Sequence, residues 1–239
     1  MKSIFYQADT RGYANHGWLK TKHTFSFANY FNRNRMNFGL LRVVNDDYVE
    51  AGMGFGTHPH DNMEIVSIPL SGDLEHMDSM GNKHVIRSGE IQVMSAGTGI
   101  THSEYNANDD IPVKFFQIWV FPREEGLKPR YGQTKFDFEK KKNDFTLVVS
   151  PDGAEDSLWV YQDVWFSIGL FDKDREMKYD LKKKGNGTFI MSIEGEFEVN
   201  GTKLEKRDAI GIWETDSVDI KSLTDNAKLL VIDVPMDFE

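Results

Sequence analysis

Ser71-Gly72-Asp73-Leu74-Glu75 follows an apolar run and enters a predicted hairpin, and Glu194-Gly195-Glu196-Phe197-Glu198 has the same position in the second half of the chain. The second copy turns at Asn200-Gly201, a pair that readily takes the two positive φ angles of a type I′ hairpin. In each copy a further turn leads into a strand, at Arg87–Ile91 and at Lys206–Ile210. Two copies of one small antiparallel barrel would account for both the repeat and the length of 239 residues.

Short apolar runs, separated by Gly, Asn and Asp, dominate the whole sequence. Clear strands are predicted at Glu64–Leu70 and Lys114–Phe121, and long helical periodicity is missing. The polar stretch Pro122–Gln133 interrupts this pattern. We therefore predict an all-β protein of two tandem antiparallel β-barrel or jelly-roll domains, the first spanning residues 1–133 and the second residues 134–239.

Composition excludes several classes of function. The chain has no cysteine, which rules out disulfides, thiolate metal sites and iron–sulfur clusters. Its 28 basic and 38 acidic residues give a formal net charge of −10, which disfavours direct binding of nucleic acid. No apolar stretch reaches the roughly 18 residues that cross a bilayer, and the polar amino terminus has no signal-peptide core. We expect a cytoplasmic protein with neither a membrane nor a nucleic-acid partner.

All seven histidines lie in the first half of the chain, so imidazole chemistry belongs to the first barrel. Residues at i and i+2 of a strand point to the same side, and His58-Pro59-His60 and His102-Ser103-Glu104 both have this spacing. Neighbouring strands could then direct three imidazoles and one carboxylate at one metal ion. The sequence leaves open which residue supplies the carboxylate, because Glu64 shares the strand parity of His58 and His60 and could replace Glu104. A polar surface turn at 58–60 is the alternative, but it leaves the second pair unexplained.

These residues carry a family resemblance. The first cupin motif is followed by Gly52, His58, His60, Glu64 and Gly72, and the second, loosely, by Gly89, Gly97 and His102. More specifically, Phe55–Glu64, His76–Asn82 and Met94–Asn106 resemble the bacterial pirins, which are two-cupin (bicupin) proteins. Asn15–Trp18 and His23–Tyr30 resemble the short pirins with quercetinase activity. The resemblance is dense over residues 1–135 and thinner beyond.

Carried onto this sequence, the pirin pattern implies that His58, His60, His102 and Glu104 bind the metal and that Glu64 lies outside the ligand set. It also implies a second barrel without a metal, in agreement with the missing histidines there. The resemblance favours Fe(II), one ion per chain, with Mn, Ni, Co, Cu or Zn as possible substitutes. Zinc has no redox chemistry, so an oxygenase would require another metal.

The resemblance implies cleavage of a flavonol such as quercetin by dioxygen at the 2,3 bond, with loss of carbon monoxide and with Glu104 as the catalytic proton acceptor. The competing hypothesis is a non-enzymatic metal- and redox-sensing regulator that binds a protein partner. An open cavity beside the ion would favour the enzyme. A third hypothesis, an isomerase acting on a sugar or sugar phosphate, would require a cation inside the first barrel, for which Arg42 and Lys114 are the obvious candidates.

Other side chains complete the predicted surroundings of the site. Six phenylalanines could form apolar walls for an aromatic substrate, although at least half should be ordinary core residues: Phe25, Phe27, Phe38, Phe55, Phe115 and Phe116. We expect His23 near the pocket or in a structural hydrogen bond, and His76 and His84 exposed beside a hairpin. Core or cavity-lining positions are expected for Met53, Met63 and Met94. Glu64 should accept a hydrogen bond from an imidazole or line the pocket, the alternative being a strand residue paired with a nearby cation.

Overall fold

The computed structural model describes residues 1–237, and nearly all of its regular structure is β, which confirms the predicted fold class. Two 3₁₀ turns, Ala8–Thr10 and Ala154–Asp156, are the helical elements within that range. The strands are β1 Lys2–Tyr6, β2 Gly12–Asn15, β3 Leu19–His23, β4 Leu41–Val49, β5 Gly54–His60, β6 Glu64–Ser71, β7 Asp73–Asp78, β8 Lys83–Arg87, β9 Glu90–Ser95, β10 Ile100–Asn106, β11 Val113–Val120, β12 Arg130–Lys135, β13 Phe145–Ser150, β14 Leu158–Trp159, β15 Trp165–Phe171, β16 Glu176–Asp180, β17 Asn186–Glu194, β18 Phe197–Val199, β19 Thr202–Leu204, β20 Ala209–Trp213, β21 Ser217–Ser222 and β22 Ala227–Pro235.

Each barrel consists of one seven-stranded and one four-stranded sheet. In the first barrel the large sheet has the order β12-β9-β6-β11-β4-β3-β2 and the small sheet the order β5-β10-β7-β8. In the second barrel the orders are β1-β20-β17-β22-β15-β13-β14 and β16-β21-β18-β19. Within each large sheet the pairings are antiparallel except that of β13 with β14. The internal repeat seen in the sequence is therefore a repeat of architecture.

The predicted hairpin of the second copy is confirmed. Two residues connect β18 to β19, and both have positive φ, 44° at Asn200 and 78° at Gly201, as a type I′ turn requires. The corresponding hairpin of the first copy, between β7 and β8, has a longer loop over residues 79–82. The Asn-Gly pair thus predicted the turn of the second copy correctly.

The two large sheets share one apolar core. Val66 and Ile68 of β6 and Phe116 of β11 belong to the same buried cluster as Phe166 of β15 and Ile232 of β22. The opposite faces of these sheets line the interiors of the two barrels, so the central strands are buried on both sides. This double burial explains why the first six residues of β6 are all buried.

The amino-terminal strand belongs to the sheet of the second barrel, not to that of the first. β1 pairs with β20 along its whole length, from Lys2 opposite Trp213 to Tyr6 opposite Ala209, so it extends the large sheet of the second barrel. At the other end of the predicted first domain, β12 pairs with β9 of the first barrel. The division into residues 1–133 and 134–239 stays a prediction. It divides the chain at a single point, and it therefore assigns β1 to the first domain although β1 lies in the sheet of the second barrel.

The interiors of the two barrels differ in chemistry. The second is filled by apolar and aromatic side chains, among them Phe171, Phe197, Ile210 and Leu229, all at most 3% exposed. The first has two small apolar clusters, one around Leu74 and Phe115 and the other around Ile65 and Met94. A polar, histidine-rich interior therefore exists in the first barrel only, among the residues that the structure describes.

Candidate metal centre

Strands β5 and β10 bring the two predicted ligand pairs together. Their antiparallel register places His58 opposite His102, and the Nε2 atoms of these two imidazoles are 3.1 Å apart. The register shifts between His102 and Glu104, a β-bulge beside the site. His60 completes the group, since the ligand nitrogens of the three histidines all lie within 4.8 Å of one another.

The proton positions of His58 and His102 test whether the group suits a metal ion. His58 Nδ1 lies 2.8 Å from the carbonyl oxygen of Gly56, which can only accept, so Nδ1 carries the proton and Nε2 has a lone pair. Burial, together with the neighbouring histidines, lowers the pKa of His102 to about 2, and burial lowers that of His60 to about 4, so both rings are neutral. Cis ligands of one ion at about 2.1 Å would be about 3.0 Å apart, close to the observed separation. The residues fit a divalent metal.

His76 is buried, so the prediction that it is exposed is wrong. It lies on β7, next to β10, at 0% exposure, and its Nδ1 is 3.5 Å from His102 Nδ1. Its Nε2 contacts Asp78 Oδ2 at 3.2 Å. His84 lies directly opposite His76, but it belongs to β8, the edge strand of the small sheet, and it stays exposed, as predicted.

The carboxylate of Glu104 is buried like the imidazole of His102, whereas His58 and His60 are half-buried. It accepts a hydrogen bond from Gln117 Nε2 at 2.6 Å, and Oε1 is 3.2 Å from Ser67 Oγ. Burial raises the pKa of Glu104 to about 7, with these hydrogen bonds acting in the opposite direction. Glu104 groups within 4.8 Å with His102 and His76, while His58 and His60 group with His102. His102 is thus common to both groups.

Glu64 faces away from the centre. β5 ends at His60 and β6 begins at Glu64 in the other sheet, so the parity that related Glu64 to His58 does not continue through the turn. Its carboxylate accepts a hydrogen bond from Ser95 Oγ at 2.6 Å and one from the backbone N–H of Tyr161 in the second barrel. Glu64 is neither a partner of an imidazole nor a lining residue of the cavity, so both roles predicted for it are wrong.

A cavity of about 440 Å³ opens beside the imidazoles, a size in the usual range for small-molecule sites. It is lined by Trp18, Leu19, Thr21, His23, Phe27, Asn45, Asp47, Gly54, Phe55, Gly56, His58, His60, Glu104, Gln117 and Trp119. Four aromatic rings supply apolar walls, and the indole of Trp119 packs edge-on against His60 with ring centroids 4.9 Å apart. A flat aromatic ligand beside the imidazoles is the chemistry that this lining suits.

The structure sorts the other predicted residues. Phe27 and Phe55 line the cavity, whereas four phenylalanines are buried in the core, in line with the expectation that at least half would be: Phe25, Phe38, Phe115 and Phe116. His23 fulfils both expected roles, since it lines the cavity and its Nδ1 is 2.8 Å from Asn45 Oδ1. Met94 is buried in the core, Met63 packs beside it, and Met53 is 43% exposed, so Met53 lies neither in the core nor in the lining.

The cavity lining contains neither lysine nor arginine. Arg42 donates to the backbone oxygens of Ser26 and Met36, and Lys114 lies over the ring of Tyr48, so neither candidate cation enters the cavity. This arrangement does not suit a sugar phosphate. Sequence reasoning missed the second acid of the cavity lining, Asp47, which no motif marked out.

The two barrels, one with a histidine-rich interior, define a two-domain cupin protein. The pirin family model matches residues 6–120, and the model described as the quercetinase C-terminal cupin domain matches residues 147–234. The chain is 44% identical to quercetin 2,3-dioxygenase of Escherichia coli K12 over 229 residues, which covers 96% of this chain and 97% of that protein. It belongs to the pirin family, which confirms the resemblance.

Solved structures agree with this assignment. The crystal structure of YhhW from E. coli superposes with a TM-score of 0.93 at 43% identity, covering 98% of both chains. A structure described as bacterial pirin YhhW from E. coli in complex with nickel(II) matches equally well, with a TM-score of 0.93 at 42% identity over 98% of this chain and 99% of that one. Within residues 1–237, no helix is long and apolar enough to span a membrane.

Proposed function

We propose that this protein is a metal-dependent dioxygenase, with Fe(II) as its working metal, that cleaves flavonols such as quercetin at the 2,3 bond. The observation that carries the proposal is the facing pair of His58 and His102, whose Nε2 atoms lie 3.1 Å apart at the edge of a substrate-sized aromatic cavity. Two imidazole nitrogens at this distance are suitably placed to bind one metal ion together. The 44% identical quercetin 2,3-dioxygenase of E. coli supports the assignment of the reaction.

The proposed ligand set is His58, His60, His102 and Glu104. These three imidazoles and one carboxylate would hold a divalent transition-metal ion without filling its coordination sphere, so that substrate could also bind. When bound, a redox-active metal would supply the electron transfer that lets an electron-rich flavonol react with dioxygen. The nickel complex of the related pirin supports the binding of a divalent ion by this chain. The choice of Fe(II) as its working metal is part of the proposal.

Glu104 is the proposed proton acceptor for the hydroxyl group of the flavonol. Ser67 has one hydroxyl proton, and Gln117 Oε1, at 2.9 Å, is its nearer acceptor. The Ser67 oxygen can then accept from Glu104 Oε1, 3.2 Å away, once that carboxyl is protonated. Ser67 and Gln117 therefore offer Glu104 suitable partners in both of its protonation states, which suits a group that must take up a proton and release it.

The cavity supports an enzyme over a closed sensor. Its opening beside the imidazoles gives a flat ligand access, and Trp18, Phe27, Phe55 and Trp119 provide rings to pack against it. The proposed partners are thus two substrates, a flavonol and dioxygen. We further propose that the protein is cytoplasmic and binds neither nucleic acid nor a membrane.

The test is Glu104→Gln, loaded anaerobically with iron and compared with wild type of equal iron content. Gln keeps an oxygen donor but cannot take a proton near neutral pH. We expect metal binding to weaken modestly and oxygen uptake on quercetin to fall about 10²- to 10⁴-fold, with partial recovery at alkaline pH, where more flavonol is already ionised. Glu64→Gln is the matched control, and it should keep both metal and activity because Glu64 lies outside the cavity.

Wild-type rates in Glu104→Gln would exclude Glu104 as the base. Absence of oxygen uptake with every flavonol in the iron-loaded wild type would contradict the enzyme itself and favour the metal- and redox-sensing regulator that acts through a protein partner.

A further inference from the structure

A second polar cluster lies on the wall of the cavity formed by β3 and β4. Thr21 and Asp47 are directly opposite each other in this pair of strands. Asn45 lies two residues before Asp47, on the same face of β4. All three line the cavity and belong to the large sheet, whereas His58, His60 and His102 belong to the small one. Each of the two sheets therefore contributes a polar group to the cavity wall, and the proposed metal-binding histidines account for the one on the small sheet.

Asp47 is a buried carboxyl without a counter-ion. Its exposed fraction is 5%, and no lysine or arginine pairs with it among residues 1–237. The adjacent Asp46 faces the other way and takes the available cations, Arg11 at 3.6 Å and Arg207 at 2.9 Å. An unpaired buried carboxyl is costly to the fold, and burial accordingly raises the pKa of Asp47 to about 7.

Thr21 provides an independent sign of a missing partner. Its side chain is close enough to Asp47 to lower the pKa of that carboxyl, yet its buried Oγ1 makes no hydrogen bond of good geometry. Buried hydroxyl groups without a partner are rare in folded proteins. Trp119 Nε1, on the same cavity, is also buried and unpaired. These atoms face a space that a ligand with its own hydroxyl groups could fill.

We propose that Thr21, Asn45 and Asp47 form a subsite for phenolic hydroxyl groups that do not bind the metal, so that the substrate is a neutral polyhydroxylated aromatic compound. The proposal rests on the proposed function, since it assigns the other hydroxyl groups of the same substrate. An ionised Asp47 can accept two O–H groups, and Thr21 can donate or accept. Asp47 would also repel carboxylated or phosphorylated aromatics, for which the lining offers no cation.

Binding to the metal-free protein tests the subsite without turnover. Trp18 and Trp119 line the cavity, so quenching of tryptophan fluorescence reports occupancy. The probes are quercetin, galangin and 3-hydroxyflavone, which share the 3-hydroxyl group and lose the remaining hydroxyls stepwise. Wild type should bind quercetin about 10-fold or more tighter than 3-hydroxyflavone, the value of a hydrogen bond to a charged group, with galangin showing which ring reaches Asp47.

Asp47→Asn should abolish most of that preference, weakening quercetin about 10-fold and leaving 3-hydroxyflavone within about 2-fold. Thr21→Val, which removes only the hydroxyl group, should weaken quercetin by a smaller factor. Asp110→Asn is the matched control, because Asp110 is exposed and outside the cavity. In the iron-loaded protein Asp47→Asn should raise KM for quercetin more than it lowers kcat, as expected of a residue that positions substrate.

Equal binding of quercetin and 3-hydroxyflavone by wild type, or equal losses for both probes in Asp47→Asn, would overturn the subsite. If the iron-loaded wild type consumed no oxygen with any flavonol, the proposed reaction would fail alone. The hydroxyl preference of the metal-free protein would still decide the subsite.

Discussion

At the scale of single residues, His76 sets the proton positions of the candidate metal centre. An ionised Asp78 can only accept, so His76 carries its proton on Nε2 and exposes a lone pair on Nδ1. The lowered pKa values of both groups agree with a neutral imidazole beside a charged carboxylate. Two donors face this lone pair, Gln92 Nε2 at 3.3 Å and His102 Nδ1 at 3.5 Å, and a hydrogen bond from His102 Nδ1 leaves His102 Nε2 free for the metal.

This arrangement predicts that His76→Ala weakens metal binding about 10- to 100-fold, the usual effect of losing a partner behind a ligand. His76→Asn should recover part of the loss, because its side-chain oxygen can accept from His102. Competition with a chelator, using nickel(II), measures the affinity. His84→Ala is the control, since His84 is exposed and stacks on Tyr131 rather than contacting His102. Unchanged affinity in His76→Ala would show that His102 is held correctly without it.

At the scale of elements, the site depends on the register of β5 against β10. Gly54 allows the close approach of these strands, because a Cβ atom there would lie 2.3 Å from the backbone oxygen of Glu104 and 2.5 Å from Tyr105 Cα. At Gly56, two residues along the same strand, the nearest atom to such a Cβ is Tyr105 Oη at 3.8 Å. A side chain at position 54 would therefore collide with β10, whereas position 56, on the same face of β5, has room for one.

Gly54→Ala should therefore separate the strands that place His58 opposite His102. We expect a loss of unfolding free energy of about 1–3 kcal/mol, the usual effect of overpacking, together with weaker nickel binding. Gly56→Ala should change both quantities little. Chemical denaturation and metal titration of the two variants side by side check the prediction, and identical behaviour of both would contradict the importance of this approach.

How far the sequence predicts the site depends on whether the relevant residues share one strand. The i, i+2 spacing correctly places His58 with His60 on β5, and His102 with Glu104 on β10. Parity failed for Glu64 because the chain leaves one sheet for the other between His60 and Glu64. Neither His76 nor Asp47 belongs to a motif with its partners, so only the pairing of β7 with β10 and of β4 with β3 reveals them.

At the scale of the molecule, the fold was predictable because hairpin signals and apolar runs are local, whereas the exchange of β1 into the second barrel was not. That exchange and the shared core join the barrels through their large sheets. The apolar interior of the second barrel explains its predicted lack of a metal: its buried cluster is made of side chains such as Phe171, Phe197 and Val231, which offer no ligand atoms. In the first barrel, buried polar side chains occupy part of the interior that apolar side chains fill in the second.

Glu64 lies at the junction of the two barrels and makes the stability of the whole molecule depend on pH. Burial raises its pKa from 4.5 to about 7, with the hydrogen bond from Ser95 acting in the opposite direction. The folded state therefore holds a proton on Glu64 that the unfolded state releases above pH 4.5, so the contribution of this group to stability falls as pH rises from 4.5 to 7. The shift of 7 − 4.5 = 2.5 pKa units corresponds to about 3 kcal/mol.

Glu64→Gln removes this titration while keeping an oxygen that can accept from Ser95 and Tyr161. We expect the variant and wild type to have similar unfolding free energies near pH 4.5, and the variant to be more stable by about 1–3 kcal/mol at pH 8, where wild type must ionise a buried group. Urea denaturation across the pH range measures the difference, and Glu125→Gln, at an exposed loop position, is the control. Because other carboxylates titrate equally in both proteins, the difference isolates Glu64. A gap between variant and wild type that is constant with pH would show that Glu64 ionises normally at the junction.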